Sequence, residues 1–418
     1  MNKYLKTLLI LLTMVQILKA QDKKRILQPN DKALILNSVK THLEKSYIDL
    51  ELSKKMNTEL DKNFRSNKYE KLTDPSEFAK LLTKDLQSVS NDPHLKVRFE
   101  PEYISKEKRN STDILKLESE RKIAMQMAEI NYGFIESKIL DGNIGYLNLR
   151  LFADIKYAEE TATAAMNFLS NTNSIIIDLR TNGGGVPSMM QLLSSYFFDE
   201  TPVLLSEFYE RENQAKTQLY SLPNVKGKKF KNKPIYILTS KQTFSAAEAL
   251  AYTLQHWGKA VVVGEATQGG ANRAKRIHLN EEFTISVPYI KPIHPVTKTN
   301  WEGKGIQPNI ETTEKNAFVY AYLNALNTTF KGKKDVLLNK IGYAFLNEKS
   351  VENAIIIFEE NTKLFPTSAN SWDSLGEAYF TKKDKTNALK SYKKALELDP
   401  YSGSIKAMIK KVESIPSE

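Results

Sequence analysis

The chain has 418 residues, 41% hydrophobic and 26% charged, with 60 Lys and Arg against 49 Asp and Glu for a formal balance of +11. That composition excludes a disordered or collagen-like chain and leaves room for two to four domains of about 100 to 200 residues each. The absence of cysteine excludes disulfides, thiolate metal sites, a cysteine nucleophile and a cysteine-linked lipid, so covalent chemistry must use oxygen or nitrogen. In chain order, residues 1–20 read first as a secretory signal peptide: Lys3 and Lys6 precede the apolar run Leu8 to Leu18, and Ala20 stands before Gln21-Asp22-Lys23-Lys24. The run is broken by Thr13 and Gln16 and is shorter than the roughly 20 apolar residues that span a bilayer. Cleavage after Ala20 is expected, which leaves no stable membrane span, a balance of +8 and a periplasmic or secreted protein.

Residues 21–130 read as an N-terminal helical domain and linker. Ile35, Val39, Leu43 and Tyr47 recur every four residues, and Asp74-Pro75 supplies a cap and first-turn proline before Phe78, Leu81, Leu82, Leu86 and Val89. A polar stretch from Lys106 to Glu129 leads to the strand Ile144 to Leu149, where residues 131–332 begin to alternate apolar runs with helical patterns. Ser174 to Leu179 and Pro234 to Thr239 are near-continuous apolar runs, as strands buried on both faces should be, and the expectation is an α/β domain. The Lys226 to Lys233 run holds one aromatic, Phe230, and no recognition helix, so it reads as a solvated loop and no nucleic-acid partner is expected.

Residues 333–418 carry an internal period. Trp372, Leu375, Gly376, Tyr379, Ala388, Tyr392, Ala395 and Pro400 answer Leu338, Ile341, Gly342, Phe345, Ala354, Phe358, Asn361 and Pro366 at a distance of 34 residues, and only Ala395 with Asn361 differs in character. The spacing is similar to that of tetratricopeptide repeats, an all-α module in which small residues let paired helices approach and aromatics fill the groove between them. Two repeats and a further helix are marginal alone. The module is therefore expected to dock on the sheet domain or on a protein partner.

Chemistry concentrates after the buried strands. Thr239 to Glu248 reads as strand, turn and helix, with Ser245 at the helix start, where the dipole and adjacent N–H groups would stabilise a developing oxyanion. Ser245 and Glu248 also have the spacing of a capping box, which serves stability alone. A second turn, Asp178-Leu179-Arg180-Thr181-Asn182-Gly183-Gly184-Gly185, would let backbone approach a ligand closely, as half of an oxyanion hole or as a simple tight turn. It lacks the lysine and hydroxyl of a phosphate-binding loop. A serine nucleophile needs a base. Of the five histidines, His256 would lie about 16 Å along the same helix, and His42 and His278 sit in an amphipathic helix and an alternating strand. His94, after the turn Ser90-Asn91-Asp92-Pro93, and His294 remain.

Five ordered motifs carry a resemblance: Gly145-Tyr146-Leu147, Asp178-Leu179-Arg180 with Asn182-Gly183-Gly184-Gly185, Thr243 to Glu248, Val263-Gly264-Glu265-Ala266-Thr267, and Trp301-Glu302-Gly303-Lys304-Gly305. Over about residues 30 to 312 the set resembles the C-terminal-processing and tricorn-core serine peptidases, in the branch that includes interphotoreceptor retinoid-binding protein modules. The resemblance implies a ClpP/crotonase-like α/β catalytic domain, with Ser245 as nucleophile and the amides of Ala246 and Gly184 as oxyanion donors. Gly270 stands where the lysine-base branch carries its lysine. The implied arrangement is thus the tricorn type, with His94 as base and Glu302 as the acid that orients it, and with no metal or organic cofactor. The stretch before Ile144 is too short for a PDZ insertion. A serine peptidase acting on proteins or peptides is the expectation. The alternatives are a non-catalytic carrier of apolar ligands and a scaffold that works through its repeats.

Overall fold

The computed structural model describes residues 25–109 and 113–414, so the segment read as a signal peptide lies outside the described residues. Two compact units make up the chain. One comprises the described part of Met1–Glu118 with Tyr209–Lys216 and Asn272–Lys291; the other comprises Ser119–Phe208, Thr217–Ala271 and the described part of Pro292–Glu418. Among the described residues no helix is long and apolar enough to cross a membrane.

In the first unit, the helices Pro29–Ser46, Leu50–Arg65 and Pro75–Ser90 pack on a small antiparallel sheet. Asp74 Oδ1 accepts the N–H groups of Ser76 and Glu77 at 2.9 and 3.1 Å, capping the third helix, and Asn91 closes it in a left-handed conformation at φ 52°. The predicted stripe of Ile35, Val39, Leu43 and Tyr47 is buried with Phe78, Leu82 and Leu86. Its partner surface comes from far along the chain: Phe283, Ile285 and Val287 of the strand Phe283–Ile293 complete this core. That strand pairs antiparallel with both Lys96–Phe99 and Arg273–His278.

The second unit is built on a six-stranded sheet in the order Ile310–Glu311, Ala260–Gly264, Ile235–Thr239, Ser174–Asp178, Ile144–Leu149, Phe134–Leu140. All neighbours are parallel except the final pair. Period-two alternation sends successive residues to opposite faces. Ile175, Ile177, Ile235, Ile237 and Val262 meet the helices Ile155–Leu169, Pro187–Ser195 and Ala246–His256, while Ile176, Tyr236, Leu238 and Val263 meet the helix Glu314–Thr329. Both faces are covered, which is why the two central strands read as unbroken apolar runs. The α/β expectation is borne out.

The repeat module follows as Lys334–Asn347, Val351–Leu364, Ala369–Thr381, Lys385–Leu398 and Gly403–Glu413. A Cβ on Gly342 would lie 2.4 Å from the Phe358 ring, and one on Gly376 would lie 2.8 Å from the Tyr392 ring, so each glycine admits the aromatic of its partner helix. Asn361, the position that breaks the repeat, is buried and donates from Nδ2 to the Asp335 carbonyl at 3.2 Å. Leu338, Ile341 and Ile357 belong to the same core as Glu314–Thr329 and the sheet. The module docks on the α/β domain, as expected.

Candidate active site

The carboxyl ends of the parallel strands carry the site loops, the position where open α/β sheets place their ligands. After Ile235–Thr239 the turn is tied down by short side chains: Thr243 Oγ1 accepts the Ser240 N–H at 3.0 Å and donates to the Leu179 carbonyl at 2.8 Å, while Ser240 Oγ donates to the Arg180 carbonyl at 2.5 Å. Phe244 N–H donates to the Asn182 carbonyl at 3.0 Å. The serine loop and the glycine loop are therefore stitched together along their length.

Ser245 opens the helix Ala246–His256 at φ 54°, ψ −117°, and its side chain is half-buried. A residue with a Cβ rarely occupies such a conformation, which costs about 1–3 kcal/mol and concentrates at functional sites. A cap selected for stability alone would not need it. Ala246 follows as the first helical residue, where an N–H has no carbonyl inside the helix to receive it. Gly184 lies against both: a Cβ there would be 2.8 Å from the Phe244 carbonyl oxygen and the Ser245 Cβ, and 2.9 Å from the Ala246 nitrogen. Its φ of +97° also favours glycine. The Gly184 N–H donates to Asn182 Oδ1 at 2.8 Å, and the buried Asn182 in turn donates to the Leu149 carbonyl at 2.8 Å.

The base of the glycine loop is fixed by charge. Arg180 meets Asp178 through Nε at 2.9 Å and Nη2 at 2.5 Å, and Tyr146 Oη donates to Asp178 at 2.7 Å. Burial, with the Asp178 carboxylate beside it, holds the Tyr146 phenol well above its ordinary range.

Glu248 is a residue whose reach the sequence did not disclose. Its fully buried carboxylate accepts from the Ser245 N–H at 2.7 Å, Thr267 Oγ1 at 2.5 Å, the Gly269 N–H at 2.7 Å and the Gly270 N–H at 2.9 Å. Burial raises its pKa, and these four donors oppose the rise. The capping-box spacing pointed to the first bond only. The loop it grips is hydrogen-bonded in turn to the segment that carries Glu302: Gly303 N–H donates to the Gly269 carbonyl at 2.9 Å and Ala271 N–H donates to Glu302 Oε2 at 2.6 Å. Trp301, beside it, is buried with its ring centroid 5.1 Å from that of Tyr252.

Ser245, Ala246, Gly184 and Glu302 thus belong to the second unit, and His94 to the first. The His94 N–H donates to Asp92 Oδ1 at 3.0 Å, and its ring Nδ1 stands 3.6 Å from the same oxygen. Asp92 is buried and also accepts from Tyr47 Oη and Asn272 Nδ2, each at 3.4 Å. This pairing was missed at the level of sequence, although Asp92-Pro93-His94 put the two side chains in one turn. His294, the other candidate base, is buried among Tyr252, His256 and Trp257, with Nδ1 accepting from the Val296 N–H at 3.3 Å. Burial and the neighbouring His256 push its pKa down to about 4.

The profile described as peptidase family S41 matches residues 143–312, and that of the N-terminal domain of Peptidase S41 in eukaryotic IRBP matches residues 26–132. A tetratricopeptide repeat matches residues 369–402. The carboxy-terminal processing protease CtpB of Bacillus subtilis is 24% identical over 247 residues, covering 56% of this chain and 49% of its own length. The carboxy-terminal processing protease CtpA of the same organism is 23% identical over 199 residues, covering 47% and 41%. The chain spans half or less of the length of these relatives. Among solved structures, the photosystem II D1 C-terminal processing protease superposes with a TM-score of 0.44 at 14% identity, covering 68% of this chain and 93% of that one.

Proposed function

Because the chain belongs to peptidase family S41, we propose that it is a serine hydrolase cleaving peptide bonds of proteins or peptides. The observation that carries this reading is the strained Ser245, held at a helix start against the Gly184 backbone and beside the Ala246 amide. In the proposed reaction Ser245 Oγ attacks the substrate carbonyl while His94 takes its proton. The Ala246 N–H, with the glycine loop at Gly184, stabilises the tetrahedral oxyanion. The imidazolium then protonates the leaving amine as the C–N bond breaks, and water repeats the sequence on the acyl-serine to release the acid.

His94 is proposed as base on chemical grounds. In the second unit His256 ends the helix that Ser245 begins, and His294 is buried in an aromatic cluster. Asp92 would hold the His94 ring, and Glu302 is proposed as the acid that steadies the imidazolium. A non-catalytic carrier on the same fold is favoured by one observation, the engagement of the Gly184 N–H by Asn182; catalysis requires that bond to be shared or opened. Export through residues 1–20 to a periplasmic or secreted location belongs to the same proposal, and N-terminal sequencing of the mature protein tests it.

Incubating an unfolded protein with the parent and with Ser245→Ala, then identifying products by mass spectrometry, tests the reaction. New termini from the parent alone support hydrolysis. Identical product sets, or no labelling of the folded parent by a fluorophosphonate at Ser245, favour the carrier. The repeat module is proposed to recruit a protein partner or substrate. Removing residues 333–418 is a poor test of that role, because it would strip Leu338, Ile341 and Ile357 from the core of the α/β domain.

A further inference from the structure

The run from Lys226 to Lys233 holds five lysines and no acid. Its charge pattern reads as a solvated loop, yet the fold makes it the wall of a cavity of about 520 Å³ in the second unit. Lys228, Lys229, Lys231 and Lys233 line that cavity, and Glu200, 2.7 Å from Lys231, is the one acid among the described residues around it. Lys233 also lines a second cavity of about 530 Å³, where Lys259 joins it and no acid stands among the described residues. The two cavities therefore adjoin at Lys233. The second lies at the amino ends of the strands Ile235–Thr239 and Ala260–Gly264, away from the carboxyl ends that carry Ser245.

These lysines are held in place. Tyr196 Oη donates to the Lys226 carbonyl at 2.7 Å, the Phe230 N–H donates to the Tyr196 carbonyl at 2.7 Å, and the Phe230 ring is buried. Lys229 Nζ donates to the carbonyls of Asp199 and Leu222 at 2.9 and 3.2 Å, and Lys233 Nζ donates to those of Ser170 and Thr172, each at 2.6 Å. An ammonium carries three N–H groups, so each of these two keeps one that the carbonyls do not use. Neither meets a carboxylate among the described residues, and the same holds for Lys228 and Lys259, the latter 5.6 Å from the centroid of the Phe198 ring. Burial, with Lys231 beside Lys229 and Lys228 beside Lys233, holds both inner ammonium groups below the ordinary lysine range. A bound anion would relieve that repulsion.

We propose that the two adjoining cavities form a binding site for an acidic segment of a polypeptide, whose Asp or Glu carboxylates would meet Lys228, Lys229 and Lys233 in the first cavity and Lys259 in the second. Two cavities in a row suit an extended chain with repeated charge better than a single small anion. The aromatic rings at hand, Phe197 and Phe230, are buried and offer no face on which a nucleic-acid base could stack. Concave walls also do not fit the plane of a bilayer. The exposed amides Asn224 and Asn232, one in each cavity, can bond the main chain of such a segment. The site stands apart from the Ser245 chemistry and does not depend on it.

The test uses the full chain and fluorescein-labelled deca-glutamate, followed by fluorescence anisotropy at about 0.15 M salt, where exposed charges more than roughly 8 Å apart are largely screened. A formal balance of +11 attracts any polyanion, so the variants must separate position from total charge. Lys228→Glu should weaken binding about tenfold and Lys259→Gln about threefold, the first reversing a charge and the second removing one. Both should melt with the parent. Lys54→Glu changes the total charge as Lys228→Glu does, but it lies on the helix Leu50–Arg65, paired with Glu51 at 2.8 Å. Its affinity should stay within about twofold of the parent. Labelled polyphosphate of matched charge should bind no tighter than deca-glutamate. Parent affinity in Lys228→Glu or in Lys259→Gln, a loss in Lys54→Glu equal to that in Lys228→Glu, tighter binding of polyphosphate, or no binding of deca-glutamate overturns the proposal. Anisotropy reads binding alone, so the result is independent of whether Ser245 hydrolyses peptide bonds.

Discussion

Glu248 accepts the Ser245 backbone N–H at 2.7 Å from a position fully closed to solvent, and through Gly269 and Gly270 the same carboxylate grips the loop whose next amide, Ala271, holds Glu302. A carboxylate accepts at every lone pair; a carboxamide cannot. Glu248→Gln must turn an NH2 toward at least one of the three backbone N–H donors, and the buried clash leaves both groups unsatisfied. We expect a loss of about 2–4 kcal/mol in stability, read by urea denaturation. Fluorophosphonate labelling at Ser245 should slow by more than tenfold at a temperature where the variant is still folded. Glu248→Asp, which keeps the charge but shortens the reach, should recover part of the stability and little of the labelling.

Ser245 holds a positive φ that only glycine adopts without strain. Ser245→Ala keeps the strained backbone and loses the capping oxygen, so it should fall by about 0.5–2 kcal/mol. Ser245→Gly loses the same oxygen but relaxes the backbone, and should melt above Ser245→Ala. Both should lose up to about 10⁶ in peptide hydrolysis. Parallel melting and turnover measurements check the pair. A glycine variant that melts below the alanine variant would mean the Ser245 conformation stores no strain.

The sheet was legible because its central strands are buried on both faces, which leaves Ile175 to Ile177 and Ile235 to Leu238 as runs no surface strand would show. The repeat helices were legible because Gly342 and Gly376 recur with the aromatics that fill them. Two things were not. Phe283, Ile285 and Val287 complete the core of the N-terminal helices, Ile35 to Leu86, from a distant part of the chain, and nothing in local periodicity carries such a pairing. The Glu248 clamp was hidden for a related reason: three of its four donors lie in residues 267–270, contacts that spacing along one helix does not encode.

Gly184 offers a different probe of the same site. In Gly184→Ala the new methyl would stand 2.8 Å from the Phe244 oxygen and the Ser245 Cβ, at a backbone φ of +97°. Neither neighbour is a flexible side-chain tip, so the two loops must part. Hydrolysis should fall by about 10² to 10³, the value of one oxyanion donor, with KM changed much less than kcat. Gly183→Ala is the control, because a Cβ there meets nothing within 4 Å, and its rate should stay within about threefold of the parent.

His294 gives the chain a pH dependence whose sign follows from burial. The ring is buried among Tyr252, His256 and Trp257, and its pKa lies at about 4 rather than the ordinary 6.5. Between those two values the unfolded chain holds a proton that the folded chain does not, so stability falls as pH drops from about 6.5 toward about 4 and levels off below. Tyr252 also packs on Trp301, the residue before Glu302. Acid should therefore loosen that loop before the rest of the unit melts. Urea denaturation at pH 7 and pH 5, followed by tryptophan fluorescence, should show a lower midpoint at pH 5. His294→Phe, which fills the same aromatic cluster without titrating, should flatten the difference; an unchanged slope in that variant would assign the acid sensitivity to other groups.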